Sequence, residues 1–295
     1  MSAVFYMAVG LPGAGKSTLY KSHYSHAVYI SSDEIRQEVF GDVNDQEHNA
    51  EVFDIMRKRV IENLKANKSV YYDATNISAK RRIAFLNSIS FIPNIVKICL
   101  LVVPPFDKVK NQNMGRDKVV PEYVLDRMLK NFDVPHKSEG WNTIRIYGNE
   151  PSDYCSNLAN ELEAIPHDNP HHTDTIGSHM YNAAMFMECE YPLAKPYMMR
   201  AAYLHDLGKL YCKVFHNSKG EPTEDAHYYN HENVGAYFYL SNSWGSCEDL
   251  HVANLIRHHM DYFKGEKYLE KIRNRFGNDF MEELDMLHQA DLMAH

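Results

Sequence analysis

The sequence predicts an α/β domain built on a parallel sheet flanked by helices, followed by an all-α domain. Three observations predict it. Gly10-Leu11-Pro12-Gly13-Ala14-Gly15-Lys16-Ser17 is a phosphate-binding loop signature, with the apolar run Val4–Val9 before it and a helix-competent segment after it. Residues 1–150 alternate strand-like runs with helix-like segments, the pattern of a parallel α/β sheet. The rest of the chain shows no convincing strand and reads as successive amphipathic helices carrying 13 of the 17 histidines.

The strand-like runs are Val4–Val9, Val28–Ile30, Val70–Tyr72, Ile95–Val103 and Thr143–Ile146. Between the first of them and the next lies the glycine-rich loop. Its backbone N–H groups, with the N-terminus of the following helix, form a concave site for phosphate oxygens. Gly10, Gly13, Ala14, Gly15, Lys16, Ser17 and Thr18 are therefore expected to hold ATP or another nucleoside triphosphate, with Lys16 on the phosphates and Ser17 ligating Mg²⁺.

Charge and punctuation locate the boundary. Residues 1–150 carry 20 Lys+Arg against 17 Asp+Glu, and residues 151–295 carry 11 against 22, within a net charge of −8. Asn149-Glu150-Pro151-Ser152 and Ile165-Pro166-His167-Asp168-Asn169-Pro170 are breaker-rich joints around one helical segment. This gives an expected division into residues 1–150, a linker helix region 151–166, and residues 167–295. The five cysteines are scattered and form no C-x-x-C, which points to reduced thiols rather than a disulfide framework or a cysteine zinc site. Entry into a strand so soon after Met1 predicts no signal peptide, and the longest apolar stretch, Ile98–Val103, is too short to span a bilayer.

Two carboxylates in the first half have the placing that phosphoryl transfer needs. Asp33 follows the strand Val28–Ile30, at the carboxyl end where open α/β sheets bind ligands, and could accept the proton of an attacking hydroxyl. Arg36 lies one helical turn on and could hold an anionic group of the acceptor. Capping of a helix by Ser31, Ser32 or Asp33, with Arg36 solvated, explains the same residues without chemistry. Asp73 ends the strand Val70–Tyr72 as a Mg²⁺-directed carboxylate would. The run Lys80-Arg81-Arg82 reads either as a solvated helix start or as a path for a nucleic-acid strand.

The phosphate loop, Ser32-Asp33-x-x-Arg36, Tyr72-Asp73-Ala74-Thr75-Asn76, and Asn113-Met-Gly-Arg116 through Pro121 to Arg127-Met128 together resemble the 5′-polynucleotide kinase family, typified by the phage end-healing enzyme. The likeness covers about residues 1–148. It implies that Asp33 is the general base for a 5′-hydroxyl and that Arg36 grips the phosphate beside the acceptor nucleoside. It also makes Arg116 a lid arginine on the β/γ-phosphates and places Asp73 in the active site. Arg127 is either a second lid cation or a partner of Asp126 or Glu122.

The second half carries metal-ligand chemistry. Tyr203-Leu204-His205-Asp206-Leu207-Gly208-Lys209, with His179 upstream and Asp291 in Gln289-Ala290-Asp291-Leu292 downstream, resembles the HD phosphohydrolase superfamily. His231 and the pair His258-His259 lie between, and the fuller order resembles superfamily members holding two metal ions. The expected ligands are His179, His205, Asp206, His231, His258 and Asp291, with His258 preferred over His259. One or two ions of Mn²⁺, Ni²⁺, Co²⁺, Fe²⁺ or Zn²⁺ suit imidazole and carboxylate. Lys209 is expected to neutralise substrate phosphate. His172, in a stretch that resembles the opening segment of HD domains attached to tRNA nucleotidyltransferases, could contact the scissile phosphate or belong to a helix cap.

The fold expected from the resemblance is thus an α/β P-loop kinase domain followed by an all-α HD phosphohydrolase domain. The combination resembles bifunctional end-healing kinases, whose modules phosphorylate 5′-hydroxyl ends and remove 2′,3′-cyclic phosphate or 3′-phosphate. It implies nucleic-acid ends as substrate, RNA before DNA, a separate ligase acting on the product, no membrane, and the cytoplasm of a bacterial or phage-infected cell. A small-molecule or nucleoside kinase fused to a nucleotidase or phosphodiesterase is the alternative.

Overall fold

The computed structural model of the protein describes residues 2–170 and 174–294. Two compact units emerge, one of Met1–Met128 with Pro135–Gly148, the other of Leu129–Val134 with Asn149–His295.

The first unit is built on five parallel strands, β1 (Val4–Val9), β2 (Val28–Ser31), β3 (Val70–Asp73), β4 (Val96–Val102) and β5 (Thr143–Tyr147), in the order β2-β3-β1-β4-β5. All five strand-like runs of the sequence form these strands. The helices are α1 (Lys16–Leu19), α2 (Ser32–Phe40), α3 (Asn49–Lys65), α4 (Ala79–Ser88), α5 (Phe106–Met114) and α6 (Glu122–Leu129). Apolar residues four apart dictate how they dock: Val52, Met56, Val60 and Leu64 make one buried stripe along α3. β3 is buried along its whole length, as a central parallel strand should be. The register sets Ala8 beside Asp73 and Asp73 beside Ser31, so the ends of β1, β2 and β3 come level where the phosphate loop begins.

The second unit contains α7 (Tyr154–Leu162), α8 (Ile176–Glu190), α9 (Pro196–Leu204), α10 (Lys209–Cys212), α11 (His231–Ser241), α12 (Cys247–His258), α13 (Glu266–Phe276) and α14 (Asn278–Met293). Every residue of α11 is buried, so it is the central helix of this unit. The unit is not all-α. An antiparallel hairpin, β6 (Val214–His216) and β7 (Pro222–His227), joins α10 to α11. Its strands are short and β7 is polar (PTEDAH), so they carry none of the apolar alternation that marks a strand in sequence.

Two boundaries differ from those expected. Leu129–Val134 goes with the second unit, where Phe132 stacks edge-on against Tyr237 at 5.1 Å. The segment expected as a linker is α7, which buries Cys155, Leu158, Ala159 and Leu162 and packs on α8. Among the described residues no helix is long and apolar enough to cross a membrane.

Candidate active sites

The first unit presents a cleft of about 1580 Å³ over the carboxyl ends of its strands. Gly13, Ala14, Gly15, Lys16, Ser17, Thr18, Asp33, Arg36, Asp73 and Arg116 all line it. Gly10 lies beneath, its N–H donating to Thr75 O at 3.0 Å. A side chain there is excluded, because a Cβ would stand 2.5 Å from Val102 O. Gly13 (φ +81°) and Gly15 (φ +95°) adopt the left-handed backbone that turns the loop back around a phosphate.

Lys16 is buried, its Nζ donating to Gly10 O at 3.1 Å and Leu11 O at 2.9 Å. Burial pushes its pKa down, with the Asp73 carboxylate opposing. Asp73 Oδ2 accepts from Ser17 Oγ at 2.8 Å and from Tyr29 OH at 2.6 Å. The hydroxyl and the carboxylate expected to face Mg²⁺ are therefore side by side, and Tyr29, whose hydroxyl is raised by burial and then by Asp73, fixes the carboxylate.

Asp33 is the meeting point of three cations. Its Oδ1 lies 3.5 Å from Arg36 NH1 and 3.2 Å from Lys118 Nζ, and its Oδ2 lies 3.6 Å from Arg116 NH2. The capping explanation holds in part: Ser31 caps α2, its hydroxyl accepting from the Asp33 N–H, but Arg36 is buried and not solvated. Nothing in the sequence singles out Lys118, which is one more charge in Arg116-Asp117-Lys118. The basic run at 80–82 divides. Arg81 lines the cleft, whereas Arg82 is buried in a two-pronged ion pair with Glu139, at 2.7 Å on both oxygens, and Trp141 Nε1 donates to the same carboxylate. Arg127 lines the cleft as well.

In the second unit the motif residues converge from five elements. His179 comes from the first turn of α8, His205 caps the C-terminus of α9, His231 opens α11, His259 follows α12, and Asp291 lies in the last turn of α14. Gly208 allows the approach, since a Cβ there would stand 2.1 Å from His231 O.

Asp206 stands between two groups of ligands. Its Oδ2 is 3.3 Å from His205 Nε2 and 3.6 Å from His179 Nε2, while Asp291 Oδ1 is 2.9 Å from His179 Nε2 and 3.3 Å from His205 Nε2. Its Oδ1 is 3.1 Å from His231 Nε2 and 3.6 Å from His259 Nε2. His179, His205 and Asp206 form one potential ligand group, and Asp206, His231 and His259 another. The other ring nitrogens point at backbone carbonyls: His205 Nδ1 to Ala202 O (2.7 Å), His231 Nδ1 to Tyr228 O (2.8 Å) and His259 Nδ1 to Ile256 O (2.7 Å). A carbonyl only accepts, so these Nδ1 atoms carry the hydrogen, and each ring, when neutral, offers its Nε2 lone pair inward. That donor set fits two divalent ions sharing one carboxylate.

The preference for His258 over His259 is corrected. α12 ends at His258 and the chain tightens into a 3₁₀ turn, which directs His259 inward. His258 faces the other way, its Nδ1 2.5 Å from Asp261 Oδ2 and its ring edge-on to Phe276 at 4.7 Å. Lys209 Nζ lies 2.6 Å from Asp206 Oδ2 and 5.4 Å above the Tyr228 ring. His172 lies outside the described residues.

The electrostatics reflect this crowding. Burial opposes charge on His205, but Asp206 and Asp291 outweigh it and raise its pKa to about 10. Asp206 is buried yet held well below the carboxylate range by Lys209, His205 and His231. Asp291 is likewise lowered against burial by His179 and His205. Burial pushes His259 down.

Residues 5–135 match the family model of an AAA domain, less than half of the chain. No curated protein matches it. Among solved structures, the chain is similar to one from the Pnkp1/Rnl/Hen1 complex, at 22% identity over 41% of this chain and 40% of that one (TM-score 0.35). It is similar to another from the Pnkp1/Rnl/Hen1 RNA repair complex, at 18% over 44% of each (TM-score 0.39). A gluconokinase from Sinorhizobium meliloti 1021 is 15% identical over 49% of this chain and 82% of that one (TM-score 0.32). The chain spans 40% and 44% of the length of the first two. With its loop and parallel sheet, the matched region is a kinase-type P-loop domain, a fold that takes ATP with Mg²⁺.

Proposed function

We propose that the chain heals nucleic-acid ends. Its first unit transfers the γ-phosphoryl group of ATP to a 5′-hydroxyl, and its second hydrolyses a 2′,3′-cyclic phosphate or a 3′-phosphate. The observation that carries this reading is the presence in one chain of two phosphate-directed sites of different chemistry. One is a P-loop cleft with Asp33 at its edge, the other a buried aspartate between two sets of inward-facing imidazoles.

In the first unit Asp33 takes the proton of the attacking hydroxyl while Lys16 and Arg116 neutralise phosphate oxygens. The Ser17–Asp73 pair holds the Mg²⁺ of the nucleotide. The cleft exceeds the roughly 300–1,000 Å³ of ordinary small-ligand sites. Arg57, Arg81, Arg116, Lys118 and Arg127 on its walls suit an acceptor that continues as a phosphodiester chain.

In the second unit His179, His205, Asp206 and Asp291 would hold one divalent ion, and Asp206, His231 and His259 a second. When bound, such a pair lowers the pKa of a shared water and neutralises phosphate oxygens. Lys209 keeps Asp206 ionised and oriented. A 2′,3′-cyclic phosphate forms only on ribose, which favours RNA. The products, a 5′-phosphate and a 3′-hydroxyl, are the ends a separate ligase joins.

The test is transfer of ³²P from γ-labelled ATP to a 5′-OH oligoribonucleotide, compared with nucleosides and sugars. Labelling of the strand supports the reading. Labelling of a sugar or nucleoside alone replaces it with a small-molecule kinase.

A further inference from the structure

We propose that the outer face of α13 is a track for the phosphodiester backbone of the strand whose 3′-end enters the Asp206 site, with Lys267 and Lys271 as its phosphate contacts. The proposal rests on the end-healing reading of the second unit.

Charge points to this helix. Residues 151–295 carry 11 Lys+Arg against 22 Asp+Glu, yet residues 264–275 hold Lys264, Lys267, Lys271, Arg273 and Arg275 against only Glu266 and Glu270. Five of those eleven cations thus fall in one short stretch of an acidic region. α13 buries Leu269 and Ile272 and turns Lys267 and Lys271 out to solvent. The two lysines are four residues apart and Arg275 follows at the same interval, so all three share one face of the helix. Like charges at that spacing repel and weaken a helix. Neither lysine has an ion pair among the described residues, although two glutamates lie on the same helix. A merely solvated face would interleave its charges. An uncompensated basic row is the arrangement that meets a polyanion.

The row leads to the Asp206 site. α13 follows directly on the 3₁₀ turn His259–Lys264, whose first residue is one of the inward-facing imidazoles. Lys264 stands at the inner end of the row. Its Nζ lies 2.7 Å from Asp261 Oδ1, 3.9 Å from Glu232 Oε1 and 5.2 Å above the Tyr268 ring. Glu232 Oε2 is in turn 3.9 Å from His231 Nδ1. Beside Lys264 comes Phe263, 57% exposed, its ring edge-on to His288 at 5.2 Å. An exposed aromatic next to a basic row is the pairing that binds single strands, the ring stacking a base while the ammonium groups follow the backbone.

Binding of a short fluorescent oligoribonucleotide, read by anisotropy, tests the track without need of turnover. The strand carries a 5′-phosphate, so it offers the kinase site no hydroxyl. Its affinity for the intact protein should fall as salt rises. Lys267→Gln with Lys271→Gln keeps good helix formers in place. This double variant should bind strands of different sequence equally more weakly, because phosphate contacts carry no sequence information. Its plot of log affinity against log salt should be flatter by about 1.4, two single-strand contacts at roughly 0.7 each. With the repulsion relieved, its thermal stability should equal or exceed the parent's. Phe263→Ala should weaken binding by roughly five- to 150-fold with the slope unchanged.

On substrates, the double variant should raise KM for an oligoribonucleotide ending in a 2′,3′-cyclic phosphate. A nucleoside 2′,3′-cyclic phosphate, too short to reach α13, should keep the parent's kcat/KM. A double variant with the parent's affinity and slope overturns the track, as does an intact protein that binds no strand. A protein that binds the strand through these lysines but hydrolyses neither cyclic phosphate with Mn²⁺, Ni²⁺ or Co²⁺ keeps the backbone contact and refutes the end-healing reading of the second unit.

Discussion

The Nε2 atoms of His231 and His259 face each other at 3.2 Å, while their Nδ1 hydrogens are already given to Tyr228 O and Ile256 O. Two neutral rings in that tautomer would set lone pair against lone pair. Only a cation relieves this, either a proton on one ring or a metal ion bound by both. Burial disfavours a proton on His259, and the pair is compatible with a metal ion bound by both rings.

The first prediction follows. After loading with Mn²⁺, Ni²⁺ or Co²⁺ and gel filtration, the protein should retain about two ions per chain. His259→Ala should lower this to about one, whereas His258→Ala should leave it unchanged. Elemental analysis decides. Loss of metal from the His258 variant with full retention in the His259 variant would reverse the assignment.

Asp33 should matter to transfer and not to nucleotide binding. Asp33→Ala is expected to lower kcat by about 10²–10⁴-fold, the usual contribution of a general base. Affinity for ATP should persist, because Asp33 touches the acceptor side of the cleft. Near-normal turnover would remove Asp33 from the mechanism.

Arg82 and Glu139 form an ion pair with neither side chain exposed. Removing one partner strands a buried charge, so Arg82→Ala should destabilise the protein by about 3–5 kcal/mol in urea unfolding. The exposed neighbour Arg81, changed to Ala, should stay within about 0.5 kcal/mol of the parent. Equal, small effects would show that Arg82 is dispensable to the fold.

Much of the site was legible because its signals are local. The phosphate loop needs glycines at fixed spacing, and the five strands are short apolar runs. The His-Asp pair sits in a motif whose glycine, Gly208, has a steric reason. What was not legible depended on distant packing. Nothing in Lys80-Arg81-Arg82 indicates that only the last meets Glu139, far along the chain. The choice between His258 and His259 turns on where α12 tightens into a 3₁₀ turn, a change of one residue in phase. The hairpin did leave a trace in Asn217-Ser218-Lys219-Gly220, where Gly220 takes φ +84°, but its polar strands hid it.

Acid stability should depend on Glu283. Though burial opposes it, hydrogen bonds from His251 and Tyr197 hold its carboxyl at about 2, below the ordinary value of 4.5. A depressed carboxylate stabilises the fold above its unfolded pKa and loses that contribution as pH falls through the folded one. Thermal stability of the protein should therefore decline between about pH 4.5 and 2 more steeply than that of Glu283→Gln. Parallel profiles would show that the cluster contributes nothing to acid sensitivity.

The central claim is that one chain carries two separate phosphate chemistries. The direct measurement uses one oligoribonucleotide bearing a 5′-hydroxyl and a 2′,3′-cyclic phosphate, incubated with ATP, Mg²⁺ and Mn²⁺, Ni²⁺ or Co²⁺, and follows both ends. Lys16→Ala should abolish 5′-phosphorylation and leave 3′-end hydrolysis. The double variant His205→Ala, Asp206→Ala should abolish hydrolysis and leave phosphorylation. If either folded variant lost both activities, or the intact protein hydrolysed no 3′-end with any of these metals, the two-chemistry account would be contradicted.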